Sequence, residues 1–180
     1  MRRWVPITLS LFVLAAGGCG TAPAPAAGPT GSPSAVATTA RSGATTAPVT
    51  GYAAADQQYR QLRTGLNLPP GVAFPEHLPN AGDRYQPDAG IVAAQNYWLC
   101  AWLWRYVDGA SAGGSQSQAA IAELVKYSRM DAYTKALDNR GRQTVDGAIT
   151  AAQHGARKSV EAFTRSTCGG PFYSQSHTTR

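Results

Sequence analysis

The stretch that decides the fold is Tyr97-Trp98-Leu99-Cys100-Ala101-Trp102-Leu103-Trp104. Its residues are large or apolar at every position, so a helix built from them has no polar face, and a helix of that kind usually lies in the centre of a bundle. The pattern predicts a helix over about residues 89–107. Within it, Gln95, Asn96 and Arg105 argue against a membrane span, which needs roughly 20 predominantly apolar residues.

Amphipathic helices are predicted on both sides of this central helix. Over about residues 53–65, 115–139 and 145–166, apolar residues recur at three- and four-residue spacing, which lines them along one face of each helix. No stretch of the sequence shows a convincing strand pattern. The sequence therefore predicts an all-α fold, a small helical bundle of about four helices over residues 51–170.

A proline-rich segment, residues 66–88, separates the first two helices. It contains five prolines, which remove amide donors and bias each preceding residue away from the helix. Its larger apolar side chains are Leu68, Val72, Phe74, Leu78 and Tyr85. We expect an ordered, extended segment laid across the domain and able to form a binding loop, because segments on a rigid scaffold commonly carry function. A packed connection without a partner is the alternative.

The N-terminus has the features of an export signal. Arg2 and Arg3 precede a short apolar core over residues 5–16, as in a signal peptide. The following stretch, Ala15-Ala16-Gly17-Gly18-Cys19, resembles the lipobox of bacterial lipoproteins, with Ala16 where leucine is usual. The resemblance implies a signal peptide over residues 1–18, cleavage before Cys19, and transfer of a diacylglycerol group, with acyl chains such as palmitate, to the Cys19 thiol. Ordinary secretion with a chance cysteine is the alternative.

The composition changes sharply after the signal. Residues 21–50 are almost entirely Ala, Thr, Pro, Ser and Gly, and lack the large apolar side chains needed to offset the entropy of ordering. We expect the lipidated Cys19 and these residues to form a disordered tether over residues 19–50. Residues 171–180 are expected to form a flexible C-terminal tail.

The cysteine count points to one disulfide bond. The chain has three cysteines, and setting Cys19 aside for lipid leaves Cys100 and Cys168 as an even pair in an oxidising compartment. Two buried free thiols are the alternative. The pairing also supports the lipobox, because a secreted chain would otherwise carry an odd cysteine.

The charge pattern narrows the class of partner. The formal net charge is +6, and acids and bases are interspersed along the chain. This weak positive balance favours an anionic membrane surface or cell-wall polymer as the partner. A nucleic-acid binder would need a clustered basic stripe, and the sequence has none, so no nucleic acid is expected. The thirteen arginines against three lysines are typical of a GC-rich genome and suggest a Gram-positive, actinobacterial source.

Residues suited to catalysis are sparse. His77, His154 and His177 are far apart in the sequence, and none has a Cys or carboxylate at metal-ligand spacing. A buried, oxidised Cys100 would be a poor nucleophile. We therefore expect no catalytic residues, no metal site and no cofactor, with an enzyme whose site is assembled from distant residues as the third hypothesis.

The candidate ligand or partner surface comprises Phe74, His77 and Tyr85 of the proline-rich segment and Trp104 of the central helix. Trp98 and Trp102 share a helix face as core residues do, whereas Trp104 points elsewhere. Aromatic rings can bind sugars by stacking. A buried core with one side available to a partner is favoured over a sugar site.

These features together predict a non-enzymatic lipoprotein held by its lipid on the extracytoplasmic face of the cell membrane. It would act as a binding or accessory module that recruits or steadies an envelope protein. The alternative is a small-ligand or cell-wall-polymer binder that uses residues 66–85 and the aromatic helix.

Overall fold

The computed structural model describes residues 48–111 and 114–177. The five α-helices are α1 (Tyr52–Arg63), α2 (Ala89–Ser111), α3 (Ser115–Leu124), α4 (Asn139–Gln153) and α5 (Arg157–Cys168). Short 3-10 turns lie at Val125–Arg129 and Tyr173–Ser176, and a π turn lies at Ala132–Ala136. Strand-type pairing in these ranges is limited to one isolated bridge, between Thr50 and Tyr85. The all-α prediction is confirmed. The predicted signal peptide, Cys19 and residues 19–47 of the tether lie outside the described residues.

The apolar stretch quoted above forms the centre of the fold, as predicted. Each residue from Tyr97 to Trp104 is at most 8% exposed. Helices α1, α3 and α5 and the 3-10 turn at Tyr173–Ser176 all pack against α2. In the described part of the chain, no helix combines the length and hydropathy of a membrane span.

A disulfide bond joins α2 to the end of α5. The structure pairs Cys100 with Cys168, with their Cα atoms 5.7 Å apart, as the cysteine count predicts. Both residues are buried in the main core cluster. The bond therefore fixes the point at which the chain leaves α5.

The helix predicted over residues 145–166 is wrong as a single element, because the chain breaks between α4 and α5. Gly155 adopts φ +72°, a left-handed conformation that interrupts a helix and that glycine tolerates best. Helix α4 also begins earlier than predicted, since the Asp138 side chain accepts a hydrogen bond from the Gly141 N–H at 2.7 Å and caps it.

The helix predicted over residues 115–139 is also wrong in its second half. Regular α-helix ends at Leu124, and Met130 is extended, with φ −85° and ψ 155°. The buried Gln95 side chain of α2 accepts the Ala132 N–H at 2.6 Å. This long-range acceptor supplies the Ala132 amide with a partner outside its own segment, so the chain can depart from the regular helical ladder there.

The proline-rich segment is ordered and extended across α1 and α2, as predicted. Since proline lacks an N–H, the segment offers more carbonyl acceptors than amide donors, and buried carbonyls need partners. Aromatic side chains of the two helices supply them. The pairs are Trp102 Nε1 with the Asn67 carbonyl (3.0 Å), Tyr97 Oη with Ala73 (2.9 Å), Tyr59 Oη with Pro75 (3.0 Å) and Tyr52 Oη with Leu78 (2.9 Å). Burial raises the pKa of the Tyr97 hydroxyl to about 12, so this group remains a donor.

Asp56 on α1 anchors the middle of the same segment. The residue is 5% exposed, and its Oδ1 accepts the Leu78 N–H at 2.8 Å. Its Oδ2 lies 3.0 Å from both His77 Nδ1 and Arg60 Nε. Burial acts to raise the pKa of the Asp56 carboxyl, but the hydrogen bonds from His77 and Leu78 and the Arg60 charge outweigh it, and the pKa lies below its usual value.

Asp56→Asn should destabilise the domain near neutral pH, and the loss should shrink in acid. A carboxyl whose pKa is lower in the folded state contributes stability that is complete above its unfolded pKa of about 3.9 and is lost as the pH falls through the folded value. We expect the variant to lose about 1–3 kcal/mol near pH 7, the usual cost of disrupting a buried hydrogen-bonded charge. Urea denaturation across the acid range measures the free energy of unfolding of the unaltered protein and of Asp56→Asn against pH.

The exposed Asp83 provides the matched control. Asp83→Asn removes an exposed carboxyl and should leave the free energy of unfolding near pH 7 unchanged. An Asp56→Asn deficit that is the same in acid as near neutrality would contradict the role assigned to the charge.

Candidate functional site

A cleft of about 410 Å³ opens where the proline-rich segment meets α2 and the C-terminal end of the described chain. One wall is the turn Pro69–Val72, the second is a face of α2, and the third is Ser176 with His177. Gln116 of α3 lies at the rim. The aromatic helix and the proline-rich segment, which sequence analysis identified separately, thus meet in one place.

The α2 wall follows from helical periodicity. Ala101, Trp104, Arg105 and Asp108 line the cleft, and residues three, four and seven apart lie on one face of an α-helix. Trp104 is 7% exposed, whereas Asp108 is exposed and Arg105 is half-buried. The apolar helix therefore ends in a face that carries both an aromatic ring and charges.

The wall formed by residues 69–72 is a tight turn that requires glycine. The Val72 N–H donates to the Pro69 carbonyl at 3.1 Å, and Gly71 adopts φ +85°. With Pro70 before Gly71, this is the residue pattern of a type II turn, in which the third position has positive φ. The turn presents proline and valine side chains to the cleft.

The third wall is the C-terminal segment, residues 169–177, which folds back onto α2. The His177 ring stacks on the Trp104 ring with 4.0 Å between centroids and 11° between planes. His177 Nε2 also lies 3.3 Å from Asp108 Oδ2. The sequence predicts a flexible tail over residues 171–180, whereas the turn Tyr173–Ser176 within it packs against α2.

The free donor capacity of the cleft lies on Arg105. Trp104 Nε1 also lacks a hydrogen-bond partner among the described residues, but this atom is itself buried and presents no surface to a ligand. Within the same ranges, no carboxylate lies within ion-pairing distance of Arg105. Asp108, by contrast, faces His177. The cleft therefore offers more free donor capacity than acceptor capacity.

The four residues of the predicted surface do not come together. Trp104 lines the cleft, but Phe74, His77 and Tyr85 do not. Phe74 packs against the rings of Tyr59 and Tyr97.

His77 and Tyr85 have local structural partners instead. His77 contacts the Asp56 carboxylate. The backbone of Tyr85 pairs with Thr50, and its hydroxyl donates to the Pro79 carbonyl. Both side chains hold the proline-rich segment in place, so the segment contributes to the cleft through the turn at Pro69–Val72.

Sequence analysis missed Arg105, Asp108 and His177 as site residues. A signal for the first two is present, because they follow Ala101 and Trp104 at helical spacing. His177 has no such signal, since it is 69 positions from Asp108 along the chain and depends on the fold for its position.

No cluster of three or more metal-ligating side chains occurs in the ranges 48–111 and 114–177. Comparisons of the chain with protein-family models, with curated proteins and with solved structures find no match.

Proposed function

We propose that this protein is a non-enzymatic binding module, lipid-anchored through Cys19 on the extracytoplasmic face of the cell membrane, with the cleft at Trp104 as its binding site. The cleft itself carries the proposal. Its volume of about 410 Å³ falls within the roughly 300–1,000 Å³ of small-ligand sites. Such sites combine apolar walls with a few polar groups, as the proline turn and the α2 face do here.

The polar groups of the cleft favour binding over catalysis. The Asp108–His177 pair resembles a general base with its orienting acid, but a covalent mechanism also needs a nucleophile. Ser176 supplies the hydroxyl among the lining residues, and it is 1% exposed and donates to the Tyr173 carbonyl at 2.6 Å. Arg105 supplies a guanidinium with five N–H donors and no acceptor and so serves as a binding charge.

The disulfide supports the proposed compartment. Such bonds persist in oxidising surroundings and are rare in the cytosol, so a buried Cys100–Cys168 bond is in keeping with export. A lipid on Cys19 would place the cleft at the outer face of the membrane, where soluble ligands or wall polymer could reach it.

Cys19→Ser should release the protein from the membrane, because the anchor would be lost with the thiol that carries it. The acyl chains of a lipoprotein are its proposed anchor, and two or three of them hold a protein far more strongly than one. Without them, release should be nearly complete. Fractionation of the producing bacterium, with immunodetection of the soluble and membrane fractions, measures it. Gly20→Ala keeps the thiol and should remain in the membrane fraction. Detergent-dependent retention of Cys19→Ser would overturn the anchoring proposal.

A further inference from the structure

The Arg105 guanidinium defines the ligand of the cleft more closely. It is a planar fork of N–H donors that matches the geometry of a carboxylate. Arg105 lines the cleft and is half-buried, so an anion bound there would be partly shielded from water and held more strongly than at an exposed arginine.

The electrostatic setting favours a single negative charge. Arg105, the arginine that lines the cleft, has no carboxylate within ion-pairing distance in the described ranges, whereas Asp108 places a negative charge farther along the same face of α2. A phosphate carries nearly two negative charges near pH 7 and would be repelled more strongly by Asp108 than a carboxylate would. The pairing of Asp108 with His177 leaves Arg105 as the group available to an anion.

The walls disfavour a stacked sugar and favour an apolar group. A sugar would need an open aromatic face, but His177 covers one face of Trp104 at 4.0 Å, and the Arg165 guanidinium lies 5.8 Å from the ring centroid. The apolar surfaces that line the cleft together with Arg105 include those of Pro70, Val72 and Ala101. They suit small aliphatic groups.

We propose that the cleft binds a carboxylate whose neighbouring carbon carries a small apolar group, with the carboxylate on the Arg105 guanidinium and the apolar part against the proline turn. This chemistry is found at the C-terminus of a peptide that ends in small apolar residues and in small free carboxylic acids. The inference rests on the proposed binding function and specifies its ligand class.

The test compares probes that share shape and differ in charge. N-acetyl-Ala-Ala and its C-terminal amide represent a peptide end, and isovalerate and isovaleramide represent a free acid. Each is titrated into the ¹⁵N-labelled full chain, and backbone and indole N–H resonances are followed by NMR. We expect a carboxylate probe to move the Trp104 indole resonance and to bind at least about tenfold more tightly than its amide, as expected for a charge-assisted hydrogen bond. Whichever acid binds identifies the source.

Substitutions at Arg105 assign the preference to the cleft. Arg105→Gln should remove the tenfold preference for the acid, and Arg105→Lys should keep part of it because it retains the charge but loses the fork. Arg129→Gln, at an exposed site on a 3-10 turn that does not line the cleft, is the matched control and should leave binding unchanged. Thermal denaturation checks that each variant is folded.

Three outcomes would overturn the inference. Equal affinity for acid and amide in the cleft would refute the preference for a carboxylate but not the proposed binding function. Resonance changes confined to residues away from the cleft would refute the cleft as the binding site. No response to any probe would exclude this ligand class, whereas the membrane fractionation of Cys19→Ser tests the anchored module independently.

Discussion

Replacing both Cys100 and Cys168 with alanine should lower the free energy of unfolding by about 4 kcal/mol. The two residues are 68 positions apart, and the bond reduces the entropy of the unfolded chain by closing that long loop. Using alanine at both positions avoids leaving one buried thiol without its partner. Urea denaturation of the purified protein and the double variant measures the difference.

Reduction provides the control for this result. Dithiothreitol should bring the unaltered protein to the stability of the double variant and should leave the double variant itself unchanged. A second readout is the contact between His177 and Trp104. His177 lies nine residues beyond Cys168, and the bond anchors that segment near Trp104. Two alkylatable thiols in the native protein, or equal urea midpoints with and without reductant, would contradict the structure.

Gly90→Ala should destabilise the domain by about 3 kcal/mol or more, toward the upper end of overpacking effects. A Cβ at Gly90 would lie 2.0 Å from the Ala55 carbonyl oxygen and 2.8 Å from the Tyr59 backbone nitrogen. Both obstacles are backbone atoms of α1, so no side-chain rotation relieves them, and the two helices must separate. Thermal and urea denaturation measure the loss.

Gly147 of α4 offers a matched control. A Cβ built there has nothing within 4 Å beyond its own helix and chain neighbours, and alanine is favoured over glycine inside a helix by about 0.5–1 kcal/mol. Gly147→Ala should therefore stabilise the protein slightly. If Gly90→Ala instead left the urea midpoint unchanged or raised it, as Gly147→Ala should, the close approach of α1 and α2 at Gly90 would be refuted.

Local pattern was enough to predict the centre of the fold but not its periphery. A run from Tyr97 to Trp104 that is apolar on all sides has few stable positions other than the middle of a bundle. The break at Gly155 depends on a left-handed backbone conformation. An isolated glycine is also compatible with a continuous helix, and tertiary packing determines which of the two forms. The end of regular helix after Leu124 is likewise not visible locally, since Gln95 contacts Ala132 only in the folded chain.

Local sequence pattern predicts even less of the candidate site than of the fold. Trp104 could be separated from the core tryptophans because its helical phase differs from that of Trp98 and Trp102. The rest of the cleft depends on two distant pieces of chain, the turn at Gly71 and the segment ending at His177. Neither carries a periodic signal that points toward α2, so sequence analysis placed the candidate surface on Phe74, His77 and Tyr85 instead.

The central position of α2 also bears on how the protein is made. A ribosome completes α1 before any of α2 exists, and a twelve-residue helix is marginal in isolation. Helix α2 then emerges with its apolar surface uncovered, because α3, α5 and Cys168 are still to be synthesised. A later part of the chain, beyond α4, supplies the disulfide partner and the His177 wall of the cleft. A translation product that stops early therefore lacks the covalent bond and the complete site together, and it exposes a large apolar helix to the cell's proteases.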